Sequence, residues 1–80
     1  MRLPRSISGK ELAKALNRVG YKVTRQAGSH MRLTHNEPDQ HHITIPDHNP
    51  IKIGTLSTIL SDIASHLKIS RDELVKLLFE

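Results

Sequence analysis

The chain has 80 residues and a formal net charge of +4, with Leu, Ile and Val supplying nearly all its large apolar side chains and only Tyr21 and Phe79 as aromatics. A chain of this length buries roughly 60% of the surface it exposes when unfolded, which is enough for one small domain, and its ordinary aliphatic content argues against disorder. The absence of cysteine excludes a disulfide scaffold, a Cys-ligated zinc site and a Cys nucleophile.

Ser8 and Glu11 form an S-x-x-E capping box, with Ile7 and Leu12 placed for a hydrophobic staple. Leu12, Ala15, Leu16 and Val19 then recur at helical spacing, and Gly20 supplies the stop. Lys10, Lys14 and Arg18, spaced by four, form a basic ridge on the opposite side of this first helix.

Strand patterning follows. Residues 21–26 alternate, Ala27-Gly28-Ser29 suits a tight turn, and residues 30–35 alternate again, with Met31 and Leu33 on one side and His30, Arg32 and Thr34 on the other. Residues 36–40 have loop chemistry, and His42-Ile-Thr-Ile45 reads as a third strand ended by Pro46. The expected buried face of this meander is Val23, Met31, Leu33, Ile43 and Ile45. Arg25 lies just across the hairpin, its facing dependent on a register the sequence does not fix.

Thr55 is the expected cap of a second helix with the stripe Leu56, Ile59, Leu60, Ile63 and Leu67. Ser70 and Glu73 repeat the capping-box signal for a short third helix, with Ile69 as its staple. The order α-β-β-β-α, with a final short helix, predicts an α+β fold of two layers, helices on one face of a three-stranded antiparallel sheet. One domain over residues 1–80 is expected, with a core at 6–68 and an additional helix in 69–80. No apolar run approaches ~18 residues, and residues 1–5 carry no signal-peptide core, so the expected location is cytoplasmic, with no membrane partner.

The charge is one-sided. Residues 1–34 hold eight basic side chains and one acid, whereas residues 35–80 hold four basic and seven acidic ones. A concentrated basic surface suits a polyanion, because phosphate neutralisation supplies most nonspecific nucleic-acid affinity. The bland alternative is a solvated surface with a basic pI.

Metal-free RNA cleavage needs a base for the 2′-OH, cations for the phosphorane charge and an acid for the leaving 5′-oxygen. Histidine, with an ordinary pKa of ~6.5, serves the first and last roles, and Arg or Lys serves the second. His30, preceded by Gly28 and Ser29 and flanked by Arg25 and Arg32, fits this chemistry, although a strand-borne histidine is more often simply exposed. His35, His41, His42 and His48 cluster around the loops flanking the third strand and read as exposed, flexible residues. With Asp39 and Asp47 nearby a metal site is conceivable, but adjacent His41 and His42 point to opposite faces, so at most one could join a given site, and no metal and no cofactor is the expectation. The scarcity of aromatics argues against a base-stacking platform.

The segments Ser8-Gly-Lys-Glu-Leu12, Leu16-Asn-Arg-Val-Gly-Tyr21, Arg25-Gln-Ala-Gly-Ser-His30, Ile43-Thr-Ile-Pro46 and Gly54-Thr-Leu56, in this order, resemble the HicA (YcfA-like) toxin family. The resemblance implies a double-stranded-RNA-binding-domain-like fold, ribosome-independent mRNA cleavage and neutralisation by a HicB-type antitoxin bound over the active face. It implies that His30 is catalytic and that Gly28 and Ser29 position it. Lys52 matches a position often basic in the family, whereas Ser57 stands where a basic residue is common.

The expected function is therefore an endoribonuclease toxin. The candidate phosphate contacts are Lys10, Lys14, Arg18, Lys22, Arg25, Arg32 and Lys52, and water, His35 or His42 is the candidate second acid–base group. The rival readings are a non-catalytic RNA-binding module and a protein-interaction module whose basic face meets an acidic partner.

Overall fold

The computed structural model describes residues 3, 4 and 6–80; Arg2 and Arg5, counted above in the basic part of the chain, lie outside the described residues. The elements run α1 (Gly9–Leu16), a single 3-10 turn (Asn17–Val19), β1 (Lys22–Ala27), β2 (His30–His35), β3 (His41–Pro46), α2 (Ile53–Leu67) and α3 (Arg71–Phe79). The three strands form one antiparallel sheet in the order β1-β2-β3, so the expected α+β arrangement is the one observed.

Helix α1 starts where its capping box places it. The Ser8 hydroxyl accepts from the Glu11 N–H at 3.1 Å, and the Glu11 carboxylate accepts from the Ser8 N–H at 3.0 Å. The Ser8 backbone N–H, and secondarily the Ser8 hydroxyl, hold the Glu11 carboxyl below its ordinary value of 4.5. Ile7 and Leu12 are both buried, as the staple requires. Helix α3 begins with the same device at Ser70 and Glu73.

Helix α2 starts earlier than the Thr55 cap suggested. Lys52 occupies the N-cap, without a side-chain bond, and its carbonyl accepts from Leu56 N–H at 2.9 Å. Tertiary anchoring sets this entry point: Ile51 is buried and its N–H donates to the Ile7 carbonyl at 2.8 Å. Local cap chemistry yields to a fixed tertiary contact.

One hydrophobic core joins all three helices to β2 and β3. Leu12 and Leu16 from α1, Met31 and Leu33 from β2, and Ile43 and Ile45 from β3 are buried with Leu56, Leu60 and Ile63 of α2. Leu74, Val75 and Leu78 of α3 belong to the same cluster. The expected inner face is correct with one exception: Val23 is 47% exposed. It pairs with Leu33 and shares its face, but every residue of β1 is exposed: β1 is an edge strand, and the buried cluster takes its strand residues from β2 and β3.

Candidate functional site

The sheet face away from the helices is organised in three cross-strand rows. Ala27, His30 and Pro46 are paired at one end; Arg25, Arg32 and Thr44 form the middle; Lys22, Thr34 and His42 form the far end. Successive rows are about 7 Å apart, two strand residues at ~3.4 Å each. The register shift between Val23 and Arg25 resolves the facing of Arg25. The bulge turns Thr24 and Arg25 together onto the open face, so Arg25 stands directly opposite Arg32.

His30 is exposed at the start of β2, just after the turn. Gly28 has φ 58°, the left-handed conformation that a glycine adopts without strain, and so lets the chain reverse in two residues. The Ser29 carbonyl accepts from Asp47 N–H at 2.6 Å, which ties the turn to the segment following β3. That segment is tied in turn to α1, since Gly9 N–H donates to the His48 carbonyl at 2.9 Å. A Cβ at Gly9 would strike the Pro46 carbonyl oxygen, so the close approach depends on glycine. Through the Ile51–Ile7 bond, the start of α2 reaches this same end of the fold. Lys10 is there too, 3.9 Å from the Asp47 carboxylate. The N-terminal ends of both helices add positive potential at the His30 end.

Among the described residues, His30, Arg25, Arg32 and Lys22 make no side-chain hydrogen bond or salt bridge; the salt bridges formed are Lys10–Asp47 and His41–Asp62. No acidic residue is found in the three rows. Lys14 and Arg18 belong elsewhere. They line a groove between α1 and α3, on the helix layer, and the Arg18 guanidinium donates to the Leu78 carbonyl at 3.3 Å. The described basic residues of the first part of the chain therefore divide between two surfaces rather than surrounding His30.

The histidines also sort themselves by face. His41 and His42 do point oppositely, as alternation requires. His35 and His41, however, are not the flexible, solvated residues suggested by their loop-rich neighbourhood. The Tyr21 hydroxyl is 2.7 Å from His41 Nδ1, and His41 Nε2 is 3.3 Å from Asp62. His41 stacks on His66 with ring centroids 4.3 Å apart, and His35 packs against Tyr21 at 4.9 Å. Tyr21 is fully buried at the centre of this cluster, and its phenol is pushed up to about 12 by burial and secondarily by the Asp62 charge. The cluster has no local sequence signal because its members come from the residue before β1, from β2 and β3, and from α2; Tyr21, one of two aromatics, is the available hint.

The separation bears on acid–base chemistry. His35 lies on the helix side of the sheet with Tyr21, and His42 is two rows from His30, about 14 Å along the strands. Neither reaches the His30 ring. Among the described residues, no group of three or more His, Asp or Glu side chains is disposed to hold a metal ion, and no helix is long and apolar enough to cross a membrane.

The element order and the three-stranded antiparallel sheet define a double-stranded-RNA-binding-domain-like α+β fold. The model of the HicA toxin family of bacterial toxin–antitoxin systems matches residues 9–64, well over half of the sequence, and the chain belongs to that family. A HicB-type antitoxin is the partner that membership implies. Neither the curated proteins nor the solved structures contain a match to the chain. The matched region begins at α1 and ends within α2, so α3 lies beyond it although it completes the core.

Proposed function

We propose that the chain is a HicA-like toxin acting as a metal-independent endoribonuclease on mRNA in the cytoplasm, one domain over residues 1–80, with His30 as its acid–base residue. The observation carrying this reading is the opposition of Arg25 and Arg32 beside His30. Like charges directly opposite on a sheet are destabilising, and here no acidic side chain compensates them. RNA laid across this row brings backbone phosphates to both guanidinium groups and the neighbouring ribose to His30.

In that position His30 takes the 2′-OH proton as the 2′-oxygen attacks phosphorus, while the arginines stabilise the charge on the phosphorane. The bond to the 5′-oxygen breaks, leaving a cyclic phosphate, and the leaving oxygen receives its proton from water, since His35 and His42 are out of reach. Gly28 and Ser29 position the histidine through the turn. Lys10 and Lys52 extend the positive field at that end, and Lys22 contacts the backbone further along. Lys14 and Arg18, on the helix layer, contribute through long-range potential. The HicB-type antitoxin covers the His30 face and competes with RNA for it.

A second reading, a non-catalytic RNA-binding module, is favoured by one observation: among the described residues no side chain bonds to His30 and orients its ring. Expression of the wild-type chain and His30→Ala from the same inducible vector separates the two. Growth arrest with fragmented mRNA for wild type, and neither for His30→Ala, is expected. Intact mRNA in both strains would leave the binding module as the better description.

A further inference from the structure

The far end of the open face carries a hydrogen-bonded chain that the proposed cleavage does not use. Thr24 Oγ1 is 2.8 Å from Thr34 Oγ1, which is 2.8 Å from His42 Nδ1. These three residues come from three different strands. Thr34 is 6% exposed although it faces away from the helices, whereas His42 remains exposed.

Counting hydrogens assigns the direction of the chain. A threonine hydroxyl has one hydrogen to donate. All of these contacts are hydrogen bonds at once only when Thr24 donates to the Arg32 carbonyl, 3.4 Å away, and Thr34 donates to Thr24. With its hydrogen spent, Thr34 can only accept from His42, which places the histidine proton on Nδ1. In that tautomer Nε2 carries the lone pair, and among the described residues it has no partner. Lys22, cross-strand partner of Thr34, supplies a cation in the same row.

We propose that this Thr24–Thr34–His42 chain is a ribose-recognition subsite, in which His42 Nε2 accepts a hydrogen bond from the 2′-hydroxyl of an RNA nucleotide beyond the cleaved one, while Lys22 holds its phosphate. An acceptor beside a cation selects a sugar that can donate, and the 2′-OH is the group that distinguishes RNA from DNA. The two-row separation from His30 makes this a neighbouring nucleotide on the same strand. Thr34 and Thr24 are positioning residues: they fix the tautomer and do not touch RNA. The inference rests on the open face being the RNA surface.

The test uses the full chain carrying His30→Ala, so that RNA survives the measurement, and compares a single-stranded RNA oligonucleotide with the DNA of the same sequence. This host is expected to bind RNA about five- to tenfold more tightly, the worth of one hydrogen bond. Adding His42→Ala or Thr34→Val should bring the ratio close to one, and Thr34→Ser, which keeps the hydroxyl, should restore it. Imidazole nitrogen shifts should report His42 protonated at Nδ1 in the host and lose that signature in Thr34→Val. An RNA preference that survives His42→Ala overturns the subsite alone, as does equal binding of RNA and DNA by the host. No salt-dependent binding of either nucleic acid overturns the RNA face and the subsite together.

Discussion

His30 and His41 begin adjacent strands of one sheet, yet the fold treats them in opposite ways. His41 has both ring nitrogens engaged, by Tyr21 and by Asp62, and is stacked on His66. His30 has no partner among the described residues and stands next to two unpaired arginines. The difference lies in what surrounds each position. At the Tyr21 end, strands and α2 converge, and their polar atoms satisfy one another. On the open face the described residues form no second layer, so the cations keep their capacity for an external anion. A histidine in the first setting clasps the sheet to α2; in the second it makes no bond to the described residues.

The sharpest way to break this contrast is to neutralise the arginines. Arg25→Gln with Arg32→Gln should lower the slope of log affinity for single-stranded RNA against log salt by about 1.4, two phosphate contacts at ~0.7 each. The same pair of substitutions should leave stability unchanged or raise it by up to about 1 kcal/mol at low salt, because opposed like charges are removed. Denaturant titration and binding at several salt concentrations check both signs.

Tyr21→Phe should do the reverse. It deletes the bond to His41 and should lower stability by about 1 kcal/mol while leaving RNA affinity unchanged. The pH dependence sharpens the point. Because the Tyr21 phenol is raised from 10.0 to about 12 in the folded chain, its stabilising contribution is complete below pH 10 and is lost as pH rises towards 12. Tyr21→Phe should flatten that alkaline decline in melting temperature. The smallest effect is expected on the helix layer, where Lys14→Ala should change the RNA salt slope far less than either arginine, as the groove between α1 and α3 faces away from the sheet rows.

Much of this architecture was legible before any coordinates. The two capping boxes, the alternation through residues 30–35 and the divergence of His41 from His42 are local signals, and each survives folding intact. Val23 and the Thr55 cap were misjudged because helix coverage of a strand and the anchoring of Ile51 are tertiary facts with no local trace. The same limit applies to the site. Gly28-Ser29-His30 marks the turn and its histidine, but a one-residue bulge at Thr24 decides that Arg25 faces Arg32. Helix spacing grouped Lys14 and Arg18 with the strand cations, and only the layering separates them.

The most direct test of His30 is cleavage of an RNA oligonucleotide by purified wild-type and His30→Ala chains, with chelator present and matched melting temperatures. Loss of an acid–base group predicts a rate on the order of 10²- to 10⁴-fold lower for His30→Ala. Cleavage by His30→Ala at the wild-type rate would contradict the assignment of His30.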